Sequence, residues 1–244
     1  EAAKSLGSIK STESYNKLKD CFLQVKHPKI RRAIIRALGD FRKQESIDLL
    51  KKVIESNEES YFVMMEAAIA IGKARVSDMI PNLVRLIDTN SFQNVVAQGA
   101  ILGLREFKDR EDAMATLLEK TCINYNEKIR ETATYSLGQF AKHTKVYDTL
   151  SKLLTDDWFR VRINACKAFE ESELVKSVEE LTYVAEHDID NRVRRIAFEA
   201  INKIKESNKP NVGELVEELD KLKFSNAELL QKIDRIDREI IKRS

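Results

Sequence analysis

Seven glycines and three prolines are all that punctuate 244 residues. A β-rich chain needs turn residues between many short strands, so this scarcity predicts helices. No apolar run approaches the roughly 20 residues that cross a bilayer, and no charged-then-apolar leader opens the chain. The expectation is a cytoplasmic protein with no membrane partner. Cysteine is scarce too: Cys21, Cys122 and Cys166 are odd in number and far apart, which predicts reduced thiols rather than a disulfide framework. Beside Phe22, Leu23, Ala165 and Ala168, Cys21 and Cys166 read as small core residues. Neither sign of charge dominates. With 42 Lys plus Arg against 40 Asp plus Glu, the net charge of +2 gives no global attraction to nucleic acid or anionic lipid.

Catalytic motifs are missing as well. There is no H-E-x-x-H to hold zinc, no G-x-x-x-x-G-K or G-x-G-x-x-G to cradle phosphates, and no G-x-S-x-G turn. His27, His143 and His187 are isolated; His187 beside Glu186, Asp188 and Asp190 comes nearest to a cluster and reads as a solvated turn. Adjacent carboxylates such as Glu58 with Glu59 and Glu179 with Glu180 read as solvated charges. These absences predict no catalytic residue, no metal and no cofactor within this chain.

What is present is a repeat. Charged residues at 34% and hydrophobic ones at 43% suit a thin structure with much solvated surface. One phrase recurs as AAKSLGSI (2–9), IIRALGDF (34–41), AAIAIGKA (67–74), AILGLREF (100–107), ATYSLGQF (133–140), ACKAFEES (165–172) and AFEAINKI (197–204). Its small anchor residue falls at Ser5, Ala37, Ala70, Gly103, Ser136, Ala168 and Ala200, every 32 or 33 residues. Around each anchor, apolar or small residues at −7, −3, +1 and +4 trace one stripe of a helix. A second amphipathic segment, marked by Leu18, Leu50, Leu83, Leu117, Leu150 and Leu181, keeps the same step. A pair of helices this short cannot bury its own stripe, so the units must stack. The fold class predicted is all-α, an α-solenoid of about six to seven helix pairs over 1–206. Pro28 and Pro81 fit helix starts, and Gly39, Gly72 and Gly138 fit left-handed helix ends. An arginine six residues before the anchor (Arg31, Arg130, Arg162, Arg194) predicts a hydrogen-bonded ladder, interrupted at Met64 and Ala97.

Second helices are expected to line the inner face, so positions five and one before the anchor are contact candidates. Arg32 and Arg36 make the first unit basic, Met65 and Gln98 with Leu102 make the middle uncharged, and Glu131 and Tyr135 follow. A partner groove is predicted over Arg32, Arg36, Tyr61, Met65, Gln98, Leu102, Glu131 and Tyr135, centred on Tyr61, Met65, Gln98 and Leu102.

After a short hinge at 207–210 the period changes. Val212, Leu215, Leu219, Leu222, Asn226, Leu229, Ile233, Ile236 and Ile240 alternate steps of three and four, a heptad seam. Leu at d with one Asn at a points to a parallel two-stranded coiled coil, and hence a homodimer through 211–244. Off-seam Val216, Phe224, Leu230 and Ile241 keep open the alternative that the helix caps the solenoid.

The phrases IRRAIIRALG (30–39), IRETATYSLG (129–138), VRINACKAF (161–169) and VRRIAFEAI (193–201) resemble HEAT-like repeats of the phycobilisome-lyase type, over residues 1 to about 206. The opening EAAKSLGSIKS, with HPKIRRAIIRALGDFR and ESYFVMMEAAIAIGK, is similar to the C-terminal repeat region of archaeal aminopeptidase-N-like zinc metallopeptidases. That resemblance implies a fragment of a longer polypeptide, with zinc and catalytic residues upstream of Glu1. The function expected is protein or peptide binding as a non-catalytic scaffold, with a self-associating tail. Nucleic-acid or transcription-complex binding ranks second, on Arg31, Arg32, Arg36, Arg42, Lys43, Arg192, Arg194 and Arg195.

Overall fold

The computed structural model describes residues 1–56, 59–209, 216, 219–230 and 232–233. Among them there is no strand. The helices are α1 (Ala2–Ile9), α2 (Thr12–Gln24), α3 (Pro28–Gly39), α4 (Gln44–Glu55), α5 (Tyr61–Ala74), α6 (Ile80–Ile87), α7 (Val95–Leu104), α8 (Glu111–Glu119), α9 (Glu127–Ser136), α10 (Thr144–Leu153), α11 (Phe159–Ser172), α12 (Val178–His187) and α13 (Asn191–Ser207). Short 3-10 turns precede α6, α7 and α12 and extend α9. The odd-numbered helices are the second helices of the units, so a lone α1 is followed by six complete pairs.

The repeating stripe is the core. The Ala column at Ala67, Ala100, Ala133, Ala165 and Ala197 is fully buried, and so are Leu38, Ile71, Leu104, Leu137 and Phe169 beside the anchors. Leu50, Leu83, Leu117, Leu150 and Leu181 bury the facing stripe of the first helices. Each such side chain contributes about 1.5–3 kcal/mol when removed from water, and one continuous cluster runs from Tyr15 to Ile204. Pro28 and Pro81 stand in the first turns of α3 and α6, as expected.

The glycines do something other than end helices. No described glycine has a positive φ; the left-handed positions belong to Lys10, Arg42, Arg75, Gln93, Asn94 and Glu173. Instead the glycines let successive second helices touch. A Cβ on Gly72 would stand 2.2 Å from the Gly103 carbonyl oxygen and 2.4 Å from its Cα, and one on Gly39 would stand 2.6 Å from Ala70 Cβ. Gly138 meets Ala168 in the same way at 3.0 Å. The expectation of left-handed caps at Gly39, Gly72 and Gly138 is therefore corrected: the missing Cβ serves helix–helix approach. Second helices pack closely on one another (α3 on α5, α5 on α7, α7 on α9, α9 on α11), and no comparably close pair of first helices occurs among the described residues. The stack is tighter on the second-helix side, which becomes the inner face.

The arginine ladder is present, and its acceptors lie in the next unit. Arg162 holds Asp188 with two bonds (2.7 and 2.9 Å) and also donates to the Asp156 carbonyl at 2.7 Å. Arg130 holds Asp156 at 2.5 Å. Arg31 pairs with Glu59 and donates to the Phe22 and Val25 carbonyls at 2.7 and 2.9 Å. Glu59 is thus engaged and largely buried rather than solvated, and Glu180 accepts bonds from Tyr147 (3.0 Å) and Ser151 (2.6 Å) of the preceding unit. Arg194 turns back to Asn191 of its own helix. Cys166 is buried as expected, but Cys21 is exposed: its position on α2 points away from the stripe that buries Leu18 and Phe22.

Compact packing divides the chain into Glu1–Ile204 and Lys205–Ser244. In the second unit residues 219–230 are helical. Along the seam Leu219, Leu222, Leu229 and Ile233 are each more than half exposed, as are off-seam Val216, Phe224 and Leu230. The seam positions Val212, Leu215, Ile236 and Ile240 lie outside the described residues. No described helix is long and apolar enough to cross a membrane.

Candidate interaction face

The inner face is built by α3, α5, α7 and α9, and each carries its contact residues one helical turn apart. At its basic end Arg32 and Arg36 are engaged across the unit boundary with Glu66 on α5: Arg32 Nε donates at 2.8 Å and Arg36 Nε at 3.1 Å. Glu66 is buried, yet Arg32 and Arg36 keep one edge in solvent. Burial by itself would raise the Glu66 carboxyl; the hydrogen bonds from Arg36 and Arg32, with their charges, outweigh it and hold the group below the usual carboxylate range. Arg32 also faces the Phe62 ring at 5.7 Å. The two arginines predicted as free contacts therefore form a clamp between units, and their remaining donors define the rim of the face.

The middle is uncharged on its exposed side. Tyr61 and Phe62, in the first turn of α5, are 44% and 43% exposed, an unusual placement for two adjacent aromatic rings. Met65 is half-buried and lies over Gly99 of the next helix, where an added Cβ would meet Met65 backbone at 2.7 Å. Gln98 is half-buried and its amide donates to the Gln93 carbonyl at 2.8 Å, which fixes it against the turn before α7. Leu102 is half-buried one turn further. The structure thus brings Met65, Gln98 and Leu102 together across α5 and α7, with Tyr61 at the edge where α5 begins.

Beyond this patch the polarity changes. Glu131 is buried and pairs with Lys128 at 3.2 Å and Arg160 at 3.6 Å. Tyr135 lies under the Arg105 guanidinium, 4.3 Å from the ring centre. It lines a pocket of about 350 Å³ with Lys167, Glu170, Glu171, Glu173 and Lys203. Arg105 and Gln139 both bind Glu171, and Lys203 binds Glu170 at 2.7 Å. Arg105 and Glu66 were not among the residues predicted from the sequence. Both leave a trace there: Arg105 occupies the column filled by Gly7, Gly39, Gly72 and Gly138, and Glu66 is the one acid in the apolar helix 61–74.

No group of three His, Cys, Asp or Glu gathers into a metal-binding cluster among the described residues. The Cys166 thiol is pushed up to about 12 by burial, which keeps it protonated at neutral pH. What the face offers is shape, apolar surface and fixed hydrogen-bonding groups, the materials of recognition.

Comparison with known proteins agrees with this architecture. The sequence profile described as HEAT repeats matches residues 23–105 and 114–202. Among solved structures, a chain of the CpcE–CpcF complex of phycocyanin lyase from a Nostoc species is 16% identical, with a TM-score of 0.54, covering 90% of this chain and 87% of that one. Human deoxyhypusine hydroxylase is 18% identical, covering 84% of this chain and 78% of its own, with a TM-score of 0.43. A designed armadillo repeat protein is 16% identical, covering 78% and 99%, with a TM-score of 0.44. No curated protein matches the sequence.

Proposed function

The chain belongs to the HEAT-repeat family, and from that premise we propose that it is a protein-binding scaffold whose partner lies along the inner face over Tyr61, Met65, Gln98 and Leu102. The observation that carries this reading is the contrast along one continuous surface. Ion pairs border the patch (Arg32 and Arg36 of α3 on Glu66 at one side, Lys128 and Arg160 on Glu131 of α9 at the other), whereas Met65, Gln98 and Leu102 between them stay partly open to solvent beside two exposed rings. Aromatic and Met side chains framed by charged rims are the composition of binding hot spots. A photo-crosslinking residue placed at Met65 or Gln98 is expected to capture a protein that one placed at Lys51, on the outer helix α4, does not. Equal capture from the two sides would reject the face.

Self-association through the tail is the second element of this reading, supported by the exposure of Leu219, Leu222, Leu229 and Ile233 on a helix. A light-scattering mass that falls from dimer to monomer on deleting residues 211–244 is expected; a monomeric mass for the complete chain would reject it. The resemblance of the opening segment to aminopeptidase-N-like zinc metallopeptidases supports a role beside an upstream catalytic domain. An H-E-x-x-H upstream of Glu1 in the coding sequence is expected on that reading, and its absence would remove it. The nucleic-acid alternative is weakened by engagement of several of its residues with acids: Arg31, Arg32 and Arg36 bind Glu59 and Glu66, and Arg192 binds Asp190 at 2.6 Å.

A further inference from the structure

Three consecutive units turn left-handed at the same step after their second helix, Lys10 and Arg75 as the caps of α1 and α5 and Arg42 two residues beyond the cap of α3. Five residues after the anchor, Lys10, Arg42 and Arg75 adopt left-handed backbone conformations with φ of 55°, 49° and 55°. Glycine occupies this conformation without penalty and a branched or long L side chain does not. Here three cations hold it in succession. All three are exposed, as is Lys73, and none of the four side chains makes an ion pair or hydrogen bond to the described residues. Elsewhere on this edge the arginines are tied: Arg105 to Glu171 and Arg110 to Asp112 at 2.6 Å.

Three of the untied cations, Lys10, Arg42 and Lys73, face one open space. A pocket of about 320 Å³ is lined by Lys10, Gly39, Asp40, Arg42, Lys73 and Glu106. It shares Asp40 and Lys73 with a neighbouring pocket of about 380 Å³, to which Lys4 adds a positive charge, Glu1 a negative one, and Arg36, already held by Glu66, a neutralised one. Neighbouring helices in such stacks lie about 8–10 Å apart, which is about three residues of an extended chain at roughly 3.3 Å each. One cation per unit therefore matches an acid at every third residue of an extended strand. No exposed aromatic ring stands among these residues to stack a nucleobase; Tyr15 and Phe41, the nearest in sequence, are buried.

We propose that the edge formed by Lys10, Arg42, Lys73 and Arg75 docks an acidic, extended segment of a partner protein. This surface adjoins the rim of the inner face at Arg36 but uses none of Tyr61, Met65, Gln98 and Leu102. A cation near a helix C-terminus also complements the helix dipole, but that role needs no left-handed side chain, and it makes a different forecast.

The test uses the complete chain and a fluorescein-labelled dodecaglutamate peptide at low salt. The triple variant Lys10→Gly, Arg42→Gly and Arg75→Gly removes the cations while relieving the backbone. It is expected to keep or raise the melting temperature and to weaken peptide binding at least about tenfold, corresponding to about 1.4 kcal/mol. Replacing Lys142 and Lys145 by Gln, outside these units, is expected to leave binding unchanged. No measurable binding by the native chain would overturn the proposal, as would equal binding by the triple variant or an equal loss in the Lys142 and Lys145 variant. Tighter binding of a dodecathymidylate than of the peptide would also overturn it, in favour of nucleic acid.

Discussion

Gly72→Ala separates two opposite accounts of the glycines. In an isolated helix the change stabilises, because alanine is favoured over glycine by about 0.8–1 kcal/mol in a helix interior. Gly72 is buried within α5 at a helical φ, so propensity alone forecasts a gain. The stack forecasts a loss. A Cβ there would stand 2.2 Å from an oxygen and 2.4 and 2.6 Å from two carbons of Gly103, all backbone atoms of α7. Such atoms cannot swing aside as a side chain does, so α5 and α7 must separate along their whole contact, which also loosens Ala68 and Leu83 around Gly103. Overpacking of this kind costs about 1–3 kcal/mol, and backbone-on-backbone contact belongs at the upper end. Net of propensity, a loss of roughly 2 kcal/mol is expected, or a melting temperature about 4–8 °C lower for a chain of this size. Gly7→Ala is the matched control, since its nearest contact is the Ala37 methyl at 3.1 Å, and it is expected to be near neutral. Urea denaturation followed by circular dichroism reads both. A stabilised Gly72→Ala would refute the close approach and return these glycines to a purely local role.

Other perturbations test the remaining contacts. Arg162→Met strands the buried Asp188 carboxylate and is expected to cost about 3 kcal/mol, with much of it recovered by adding Asp188→Asn; equal losses in the single and double variants would contradict a paired ladder. Glu66 has its pKa lowered on folding, so its contribution is present above the unfolded value of about 4.3 and is lost as pH falls through the folded value. Glu66→Gln should therefore flatten the stability profile below about pH 4.5, and an unchanged acid limb would rule out the clamp as its source. At pH 8 a thiol reagent is expected to label Cys21 and Cys122 quickly and Cys166 only on unfolding; three fast thiols in the folded protein would contradict the burial of α11.

The helix pairs could be read directly because burial repeats: a fixed step of 32 or 33 residues places the same stripe in the same environment each time. Backbone conformation has no such signature. Gly39, Gly72 and Gly138 stand near helix ends, where a left-handed cap and a close approach ask for the same residue, and only the neighbouring helix distinguishes them. The ladder was half legible. Arg130 and Arg162 are followed by Asp156 and Asp188 twelve residues before the next anchor, and Arg31 by Glu59 eleven before it, whereas Met64 and Ala97 are followed by Ser91 and Asn124 at the twelfth place. In these five units the arginine and the carboxylate are thus present or absent together, a pattern that pairs residues across units rather than within one. The clamp of Arg32 and Arg36 on Glu66 was hidden because charges five residues and one residue before the anchor look alike whether they face water or the next helix. Cys21 misled for a related reason: apolar sequence neighbours on a helix point to other sides of it.

The most direct test of the scaffold reading is the affinity of a protein captured through Met65 or Gln98 for the native chain and for the double variant Met65→Glu, Gln98→Glu. Two hot-spot positions worth more than about 1 kcal/mol each imply a loss of at least about thirtyfold, in a variant expected to stay folded because both side chains keep part of their surface in solvent. An affinity within twofold of the native value, in a variant that remains folded, would contradict the assignment of the inner face as the binding surface.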